Sequence, residues 1–183
     1  MKKSLQSPLL LLIFLLLSCC KVKHSVPPNI IFILADDLGY GDLGAFNPEG
    51  KIKTPHLDQM AHQGMIFTDA HTSSSVCTPT RYGILTGRYN WRSPLKKSVL
   101  SGTSQALIPQ DRTTVASFLK NNGYQTAFIG KWHLGWDWAL KDSTFNNKPI
   151  KDHEIFEKID FSKNITNSPN GLGFDYSYGH CGS

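Results

Sequence analysis

Two apolar runs of different kinds stand near the start of the chain. The first, Leu9–Leu17, follows Lys2 and Lys3 and is shorter than the ~20 residues that a membrane-spanning helix needs. It is typical of the apolar region of an export signal. The second, Asn29–Ala35, is continuously apolar rather than alternating, which predicts a strand buried on both faces of a parallel sheet. The folded part of the chain is therefore expected to begin at Asn29.

Further along, helix and strand patterns alternate. Thr54–Gly64 has a capping threonine, a proline at the first helical position and a terminal glycine, and Met65–Thr68 follows as a predicted strand. Thr113–Asn122 predicts another helix and Tyr124–Ile129 another strand. Leu140–Asn170 is polar, which predicts an irregular surface insertion. The alternation predicts an α/β fold with a mostly parallel central sheet flanked by helices, and with ligands beyond the carboxyl ends of its strands.

The end of the leader predicts a lipid anchor. Leu16-Leu17-Ser18-Cys19 is similar to a bacterial lipobox, in which Cys19 would become the lipidated first residue. Cys20 is the less favoured acceptor, and a simple cleaved signal peptide is the alternative. The chain would then comprise a lipoprotein signal peptide (1–18), a lipidated cysteine with its tether (19–28) and a folded part (29–183). We expect an exported lipoprotein in the bacterial periplasm or at the outer membrane or cell surface.

Charge and cysteine content exclude two broad classes of protein. The formal charge is +5, and four positive charges come from lysines of the leader and tether: Lys2, Lys3, Lys21 and Lys23. The remainder is nearly neutral, so no basic face indicates nucleic-acid binding. Beyond the leader only Cys77 and Cys181 occur, which does not indicate a disulfide framework, although a single disulfide between them stays open.

The segment around Cys77 predicts an anion-binding helix start. Pro79 suits a first helical turn and Gly87 a helix end, so Cys77 would lie just before a helix N-terminus with Arg81 one turn further along. Free backbone N–H groups and the helix dipole favour negative charge there, either on a thiolate or on a bound oxyanion. The alternative is a buried, inert cysteine beside a capping turn.

Two polar clusters follow predicted strands. Asp36 and Asp37 come directly after the apolar run, where carboxylate oxygens suit a hard divalent cation, with a solvated turn as the alternative. Lys131 and His133 flank Trp132, so in an extended segment both would point the same way and could hold one anion together. A basic surface loop is the alternative there. Trp132, Trp136 and Trp138 would form either a sugar-stacking platform or a buried cluster.

Four ordered segments carry a family resemblance. They resemble, in the family's order, the amino-terminal part of the type I, arylsulfatase-like sulfatases of the alkaline-phosphatase-like superfamily. The segments are Asn29–Asp42, Thr54–Asp58, Cys77–Arg81 with Leu85–Arg88, and Gly130–Gly135, and Gly171–Tyr176 is similar to a later family segment. The resemblance spans residues 28 to 183 and implies an alkaline-phosphatase-like α/β sandwich.

The resemblance implies a specific chemistry for a sulfate-ester substrate. Cys77 would be oxidised during export by a formylglycine-generating enzyme to Cα-formylglycine, whose hydrate is the nucleophile. Asp36, Asp37 and the modified Cys77 would contact one calcium ion, and Arg81 would hold the hydrate. Lys131 would counter sulfate charge and His133 would hydrogen-bond the hydrate. After attack at sulfur the alcohol leaves, and the second hydroxyl then expels sulfate.

The resemblance also implies that these residues form only part of the catalytic domain. Family members are longer and carry further calcium ligands, a sulfate-binding lysine and a leaving-group histidine downstream. We therefore expect a truncated sheet and no activity from these 183 residues alone. Two rival functions are a phosphoryl-transferring superfamily relative, which would carry Ser or Thr in place of Cys77, and an anchored protein that only binds sulfated polysaccharide.

Overall fold

A computed structural model describes residues 26–142 and 155–182 of the chain. The predicted signal peptide, the lipidation of Cys19 and most of the tether lie outside the described residues and stay predictions, as does the middle of the predicted polar insertion. The chain divides into two compact units, one ending at Leu38 and the other starting at Gly39. Within the described ranges, no helix combines the length and apolar character needed to cross a membrane.

The amino-terminal unit contains the apolar run at 29–35, which is not a strand in this structure. Ile31 and Ile33 are 85% and 73% exposed, and the described residues contain only one sheet, formed by two strands of the second unit. The strand prediction is therefore wrong for this structure. The physical reason is that an extended segment becomes a strand only when neighbouring backbone satisfies its N–H and C=O groups.

Among the residues that the structure describes, the second unit has three α-helices and two parallel strands. The helices are α1 (Pro55–Gln63), α2 (Cys77–Thr86) and α3 (Val115–Asn121), and the strands are β1 (Ala127–Lys131) and β2 (Tyr176–His180). Short 3-10 helices span Tyr40–Asp42, Asn90–Arg92 and Pro169–Leu172. In the sheet, Ala127 is paired with Tyr176 and Lys131 with His180. The carboxyl ends of the two strands therefore lie beside each other.

The predicted helices are confirmed, and the hydrogen bonds at their ends are local in the sequence. Helix α2 stops at Gly87, which has φ of 63° and donates its N–H to the Gly83 carbonyl at 2.9 Å. Helix α3 begins after Thr114, whose hydroxyl accepts from the Ser117 N–H at 3.1 Å, while the Thr114 N–H donates to the Ser117 hydroxyl at 2.9 Å. Both are local interactions that lie within a few residues of each other in the sequence.

The strand predictions are less accurate than the helix predictions. Strand β1 occupies Ala127–Lys131, three residues later than predicted at its start. Met65–Thr68 is not a strand, and Met65 and Phe67 are 77% and 68% exposed. This segment has the apolar composition of a strand but no partner strand among the described residues, so composition alone misassigned it.

The core of the second unit lies around Trp132, which is 1% exposed. Its ring meets Phe128 edge-on with centroids 5.1 Å apart, and Phe174 at 6.2 Å. The other members of this cluster are Tyr82, Leu107, Ile108, Leu134 and Leu172. Trp132 is thus a core residue, which excludes it from an exposed sugar-stacking platform. Because Trp132 follows β1 directly, the core fixes the chain just beyond the carboxyl end of that strand.

Candidate active site

Cys77 is the first residue of α2, whereas the sequence predicted it just before the helix. The helix therefore begins one residue earlier than predicted. Val76 precedes it in extended conformation, and Pro79 occupies the third helical position. A proline is tolerated there because the first turn of a helix has no intrahelical acceptors for its N–H groups. The Cys77 side chain is partly buried and its thiol is not in a disulfide. The helix start therefore presents a cysteine where backbone N–H groups and the helix dipole favour negative charge.

Arg81 lies one turn further along α2 and joins the helix to the end of β1. Its guanidinium donates a hydrogen bond to the Lys131 backbone carbonyl, and the Arg81 side chain is partly buried. Lys131 is the last residue of β1, where it is paired with His180 of β2. This contact brings two of the predicted site residues together at the carboxyl end of the strand.

Thr78 makes the second connection between α2 and the segment after β1. Its side chain is completely buried, and its hydroxyl donates to the His133 backbone carbonyl at 2.9 Å. The same hydroxyl accepts a hydrogen bond from the Leu100 N–H at 3.2 Å. One hydroxyl therefore fixes three chain segments: the first turn of α2, the loop at Leu100 and the residue after Trp132.

His133 is held on both its backbone and its ring. Its N–H donates to the Cys181 carbonyl at 2.7 Å, and its Nε2 lies 2.6 Å from the Leu100 carbonyl oxygen. Because a carbonyl oxygen only accepts, Nε2 carries the proton in this contact. The ring is 1% exposed. His133 is thus a buried imidazole fixed against the same loop that Thr78 contacts.

The backbone at His133 corrects one part of the sequence interpretation. Its φ is 54°, in the left-handed region, so the segment from Lys131 to His133 is not fully extended. Period-two alternation of side chains holds only along an extended strand. The extended segment on which the common direction of Lys131 and His133 was predicted is therefore not present, although the backbone carbonyls of both residues accept hydrogen bonds from α2.

Asp36 and Asp37 belong to the amino-terminal unit, and both are exposed. Asp37 has φ of 59°, a left-handed conformation that Asp adopts more readily than most residues. Two adjacent carboxylates have the donor chemistry that calcium prefers, but calcium takes about six to eight oxygen ligands. Residues 26–142 and 155–182 contain no group of three or more His, Cys, Asp or Glu side chains that could surround an ion. The two aspartates thus fit part of a calcium shell, and their place beside Cys77 stays a prediction.

The second cysteine is more deeply buried than Cys77. Cys181 is buried, and burial raises the pKa of its thiol to about 11, although a hydrogen bond from the Gly135 backbone works in the opposite direction. Both thiols are free, so the disulfide that the sequence left open is not formed. Of the two described cysteines, Cys77 is the one suited to chemical modification.

Thr78 and Leu100 are site residues that the sequence did not reveal. Their partners are remote: Thr78 contacts His133, 55 residues away, and Leu100, 22 residues away. A threonine in the first turn of a helix is ordinary, and nothing local marks it as a bridge. Only the tertiary fold identifies this residue.

Comparison with known proteins gives consistent matches. The sequence profile of the sulfatase family matches residues 28–180. An N-acetylgalactosamine-6-O-sulfatase of Bacteroides thetaiotaomicron is 40% identical over 156 residues, which cover 85% of this chain and 27% of that protein. Human arylsulfatase A is 48% identical over 109 residues, covering 60% of this chain and 21% of that enzyme.

A solved structure is similar as well. It comes from work on the metabolism of multiple glycosaminoglycans by Bacteroides thetaiotaomicron, is 38% identical, and covers 87% of this chain and 29% of that one with a TM-score of 0.71. This similarity confirms the predicted alkaline-phosphatase-like α/β fold class. The chain spans about a quarter of the length of the curated relatives it matches.

The double role of Thr78 predicts a specific effect of removing its hydroxyl. Thr78→Val keeps the side-chain shape but leaves the buried His133 carbonyl and Leu100 N–H without this partner. We expect a loss of about 1–3 kcal/mol in the free energy of unfolding for each unsatisfied group, measured by urea denaturation of the intact protein. Amide hydrogen exchange at Leu100 should accelerate as well.

Thr80→Val is the matched control, because the Thr80 hydroxyl donates only to the nearby Ser74 carbonyl at 2.6 Å. Thr80→Val should leave the rate of amide hydrogen exchange at Leu100 unchanged. Unchanged exchange at Leu100 in Thr78→Val, or the same increase in both variants, would show that Thr78 does not fix this loop.

Proposed function

Because this chain belongs to the sulfatase family, we propose that the intact protein hydrolyses a sulfate ester at the site built around Cys77. The observation that carries the proposal is the junction of α2 with the segment after β1. Arg81 reaches the Lys131 carbonyl and Thr78 reaches the His133 carbonyl, so four of the predicted site residues lie on two directly bonded segments. Three of those four side chains are basic or can become so, which suits an anionic substrate.

We propose that Cys77 is converted to Cα-formylglycine by a formylglycine-generating enzyme. Its partly buried position at the start of a helix supports this, as does the Cys-x-Pro-x-Arg core in which it lies. The hydrated aldehyde would supply one hydroxyl as nucleophile and a second from which sulfate is expelled. The helix N-terminus would favour the negative charge that develops on that oxygen.

The other residues of the site would bind and orient the sulfate group. The Arg81 guanidinium stays charged at any physiological pH, and its bond to the Lys131 carbonyl fixes its direction. The Lys131 ammonium would counter sulfate charge. The ring of His133 is held by the Leu100 carbonyl and its backbone by Thr78. This imidazole is therefore oriented before substrate arrives, which lowers the reorganisation needed during reaction.

We also propose one calcium ion at the site, held in part by Asp36 and Asp37. When bound, it would offset sulfate charge and lower the pKa of a coordinated hydroxyl. The two adjacent, exposed carboxylates support the proposal by their donor chemistry.

Two similar proteins that each match more than four-fifths of this chain support a proposal for the substrate class. The Bacteroides thetaiotaomicron relative is a sulfatase of N-acetylgalactosamine 6-O-sulfate, and the similar solved structure comes from work on glycosaminoglycan metabolism. We therefore propose a sulfated glycan as the natural substrate, with aryl sulfates as the second candidate because of the similarity to arylsulfatase A.

Replacement of Cys77 tests the proposed reaction. The intact protein, produced together with a formylglycine-generating enzyme, should hydrolyse p-nitrophenyl sulfate and release sulfate from chondroitin 6-sulfate. Cys77→Ala should lower both rates by about 1,000-fold or more, because the nucleophile is lost. Cys181→Ala is the control and should keep the activity, since Cys181 contacts His133 only through its backbone carbonyl, which alanine retains. Equal activity of Cys77→Ala, or faster hydrolysis of p-nitrophenyl phosphate than of the sulfate, would contradict the proposal and favour a phosphoryl-transferring relative.

The calcium proposal has an independent test in thermal unfolding. Calcium should raise the unfolding midpoint of the intact protein, because an ion that binds only the folded state stabilises it. Asp36→Asn with Asp37→Asn should reduce this rise, and Asp111→Asn should not, since Asp111 is another exposed aspartate outside the site. A calcium-dependent rise of the same size in all variants would show that these carboxylates do not hold the ion.

A further inference from the structure

A stretch without acidic residues contains the segment from Cys77 to Arg81. From Ala70 to Gln110 the sequence contains no Asp or Glu. The same stretch carries five positively charged side chains: Arg81, Arg88, Arg92, Lys96 and Lys97. Arg81 belongs to the site described above, and the other four lie beyond the end of α2. The chain there is locally basic although its overall charge, apart from the leader, is close to neutral.

Two exposed aromatic rings lie within this stretch. Tyr89 and Trp91 stack with ring centroids 5.9 Å apart and an angle of 13° between the ring planes. They are 61% and 59% exposed. Most large aromatic side chains bury more of their surface than this, because removing apolar surface from water lowers the free energy of the folded protein. The pair therefore forms an exposed aromatic surface rather than part of the core.

Two cations are fixed against Trp91. The guanidinium carbon of Arg92 lies 4.8 Å from the centroid of the Trp91 ring, and the Lys96 ammonium donates to the Trp91 carbonyl at 2.9 Å. Stacking occupies a face of the guanidinium and leaves its N–H edges available for anions. In the part of the chain that the structure describes, no carboxylate lies within ion-pair distance of Arg92 or Lys96. We call Tyr89, Trp91, Arg92 and Lys96 the aromatic–cation cluster.

A buried residue, Ser93, holds the backbone turn that carries the cluster. Its 3-10 turn is closed by bonds from the Arg92 N–H to the Tyr89 carbonyl at 3.0 Å and from the Ser93 N–H to the Asn90 carbonyl at 2.9 Å. Ser93 is 2% exposed, and its hydroxyl donates to the Leu95 carbonyl at 3.2 Å. The turn also packs against α2. The rings are thus held in place without being covered.

The loop after the cluster leads directly to the candidate active site. Leu100 follows Lys96 by four residues, and its backbone bonds both to Thr78 and to His133. A ligand lying along this loop would therefore contact a segment whose far end is fixed at the site. The cluster and the candidate site are thus joined by one short loop.

We propose that the aromatic–cation cluster binds a sulfated glycan chain outside the reacting centre. The choice of ligand rests on the proposed function. Sulfate esters keep their negative charge at all physiological pH values, and the edge of a guanidinium matches two oxygens of such an oxyanion. The apolar faces of sugar rings suit an exposed aromatic surface. The absence of acids from Ala70 to Gln110 removes the repulsion that would otherwise oppose a polyanion.

Binding without turnover tests the proposal. The intact protein carrying Cys77→Ala should bind chondroitin 6-sulfate, measured by isothermal titration calorimetry, more tightly than chemically desulfated chondroitin. Added Trp91→Ala or Arg92→Gln should each weaken binding about tenfold, and affinity should fall as salt rises. Arg92→Lys should be intermediate, because it keeps the charge but loses the planar fork. Unfolding midpoints should stay close to that of the parent, since these side chains are exposed.

Phe118→Ala and Lys51→Gln are the matched controls, since they remove an exposed ring and an exposed cation elsewhere on the same unit. Their affinities should equal that of the parent. Unchanged affinity in both Trp91→Ala and Arg92→Gln would overturn the proposal, as would equally tight binding of single-stranded DNA that the same substitutions abolish. The sulfatase proposal is judged separately, by hydrolysis in protein that retains Cys77, so either can fail alone.

Discussion

The buried hydroxyl of Thr78 is the interaction on which the arrangement of the site depends. It donates to the His133 carbonyl and accepts from the Leu100 N–H, while the Leu100 carbonyl receives the proton on His133 Nε2. These three bonds close a ring between α2, the loop at Leu100 and the segment after β1. The bond to the His133 carbonyl is buried and the two bonds of Leu100 are partly buried. Breaking one that water cannot replace leaves a polar group unsatisfied at a cost of about 1–3 kcal/mol. The helix start that carries Cys77 is therefore tied to the residues that would meet its substrate.

Packing around Trp132 supports this closed set of hydrogen bonds. Trp132 lies between the two residues of the segment that carry chemistry, and its ring is enclosed by Phe128 and Phe174. The core thus holds the backbone at Trp132, while the backbone carbonyls of Lys131 and His133 accept hydrogen bonds from side chains of α2. The left-handed backbone at His133 costs about 1–2 kcal/mol in isolation, which the buried bonds on both sides of the residue offset.

Local interactions were predictable from the sequence and long-range ones were not. The start and end of α2 were predictable because Pro79 and Gly87 act within one helical turn, and α3 lies inside the predicted range Thr113–Asn122. The run at 29–35 and Met65–Thr68 were misassigned as strands, because a strand needs a partner that the segment itself does not specify. Cys77 and Arg81 were recognisable from their spacing and helix chemistry. The bridge through Thr78 and the left-handed backbone at His133 required the fold.

Cys77, at the start of α2, is proposed to become a modified nucleophile. The most direct test is mass spectrometry of the peptides containing Cys77 and Cys181, from protein exported by its native host. We expect an aldehyde in place of the thiol at Cys77 and an unmodified thiol at Cys181, where burial raises the pKa of the thiol. An intact thiol at Cys77, in a host shown to modify other sulfatases, would overturn the proposal.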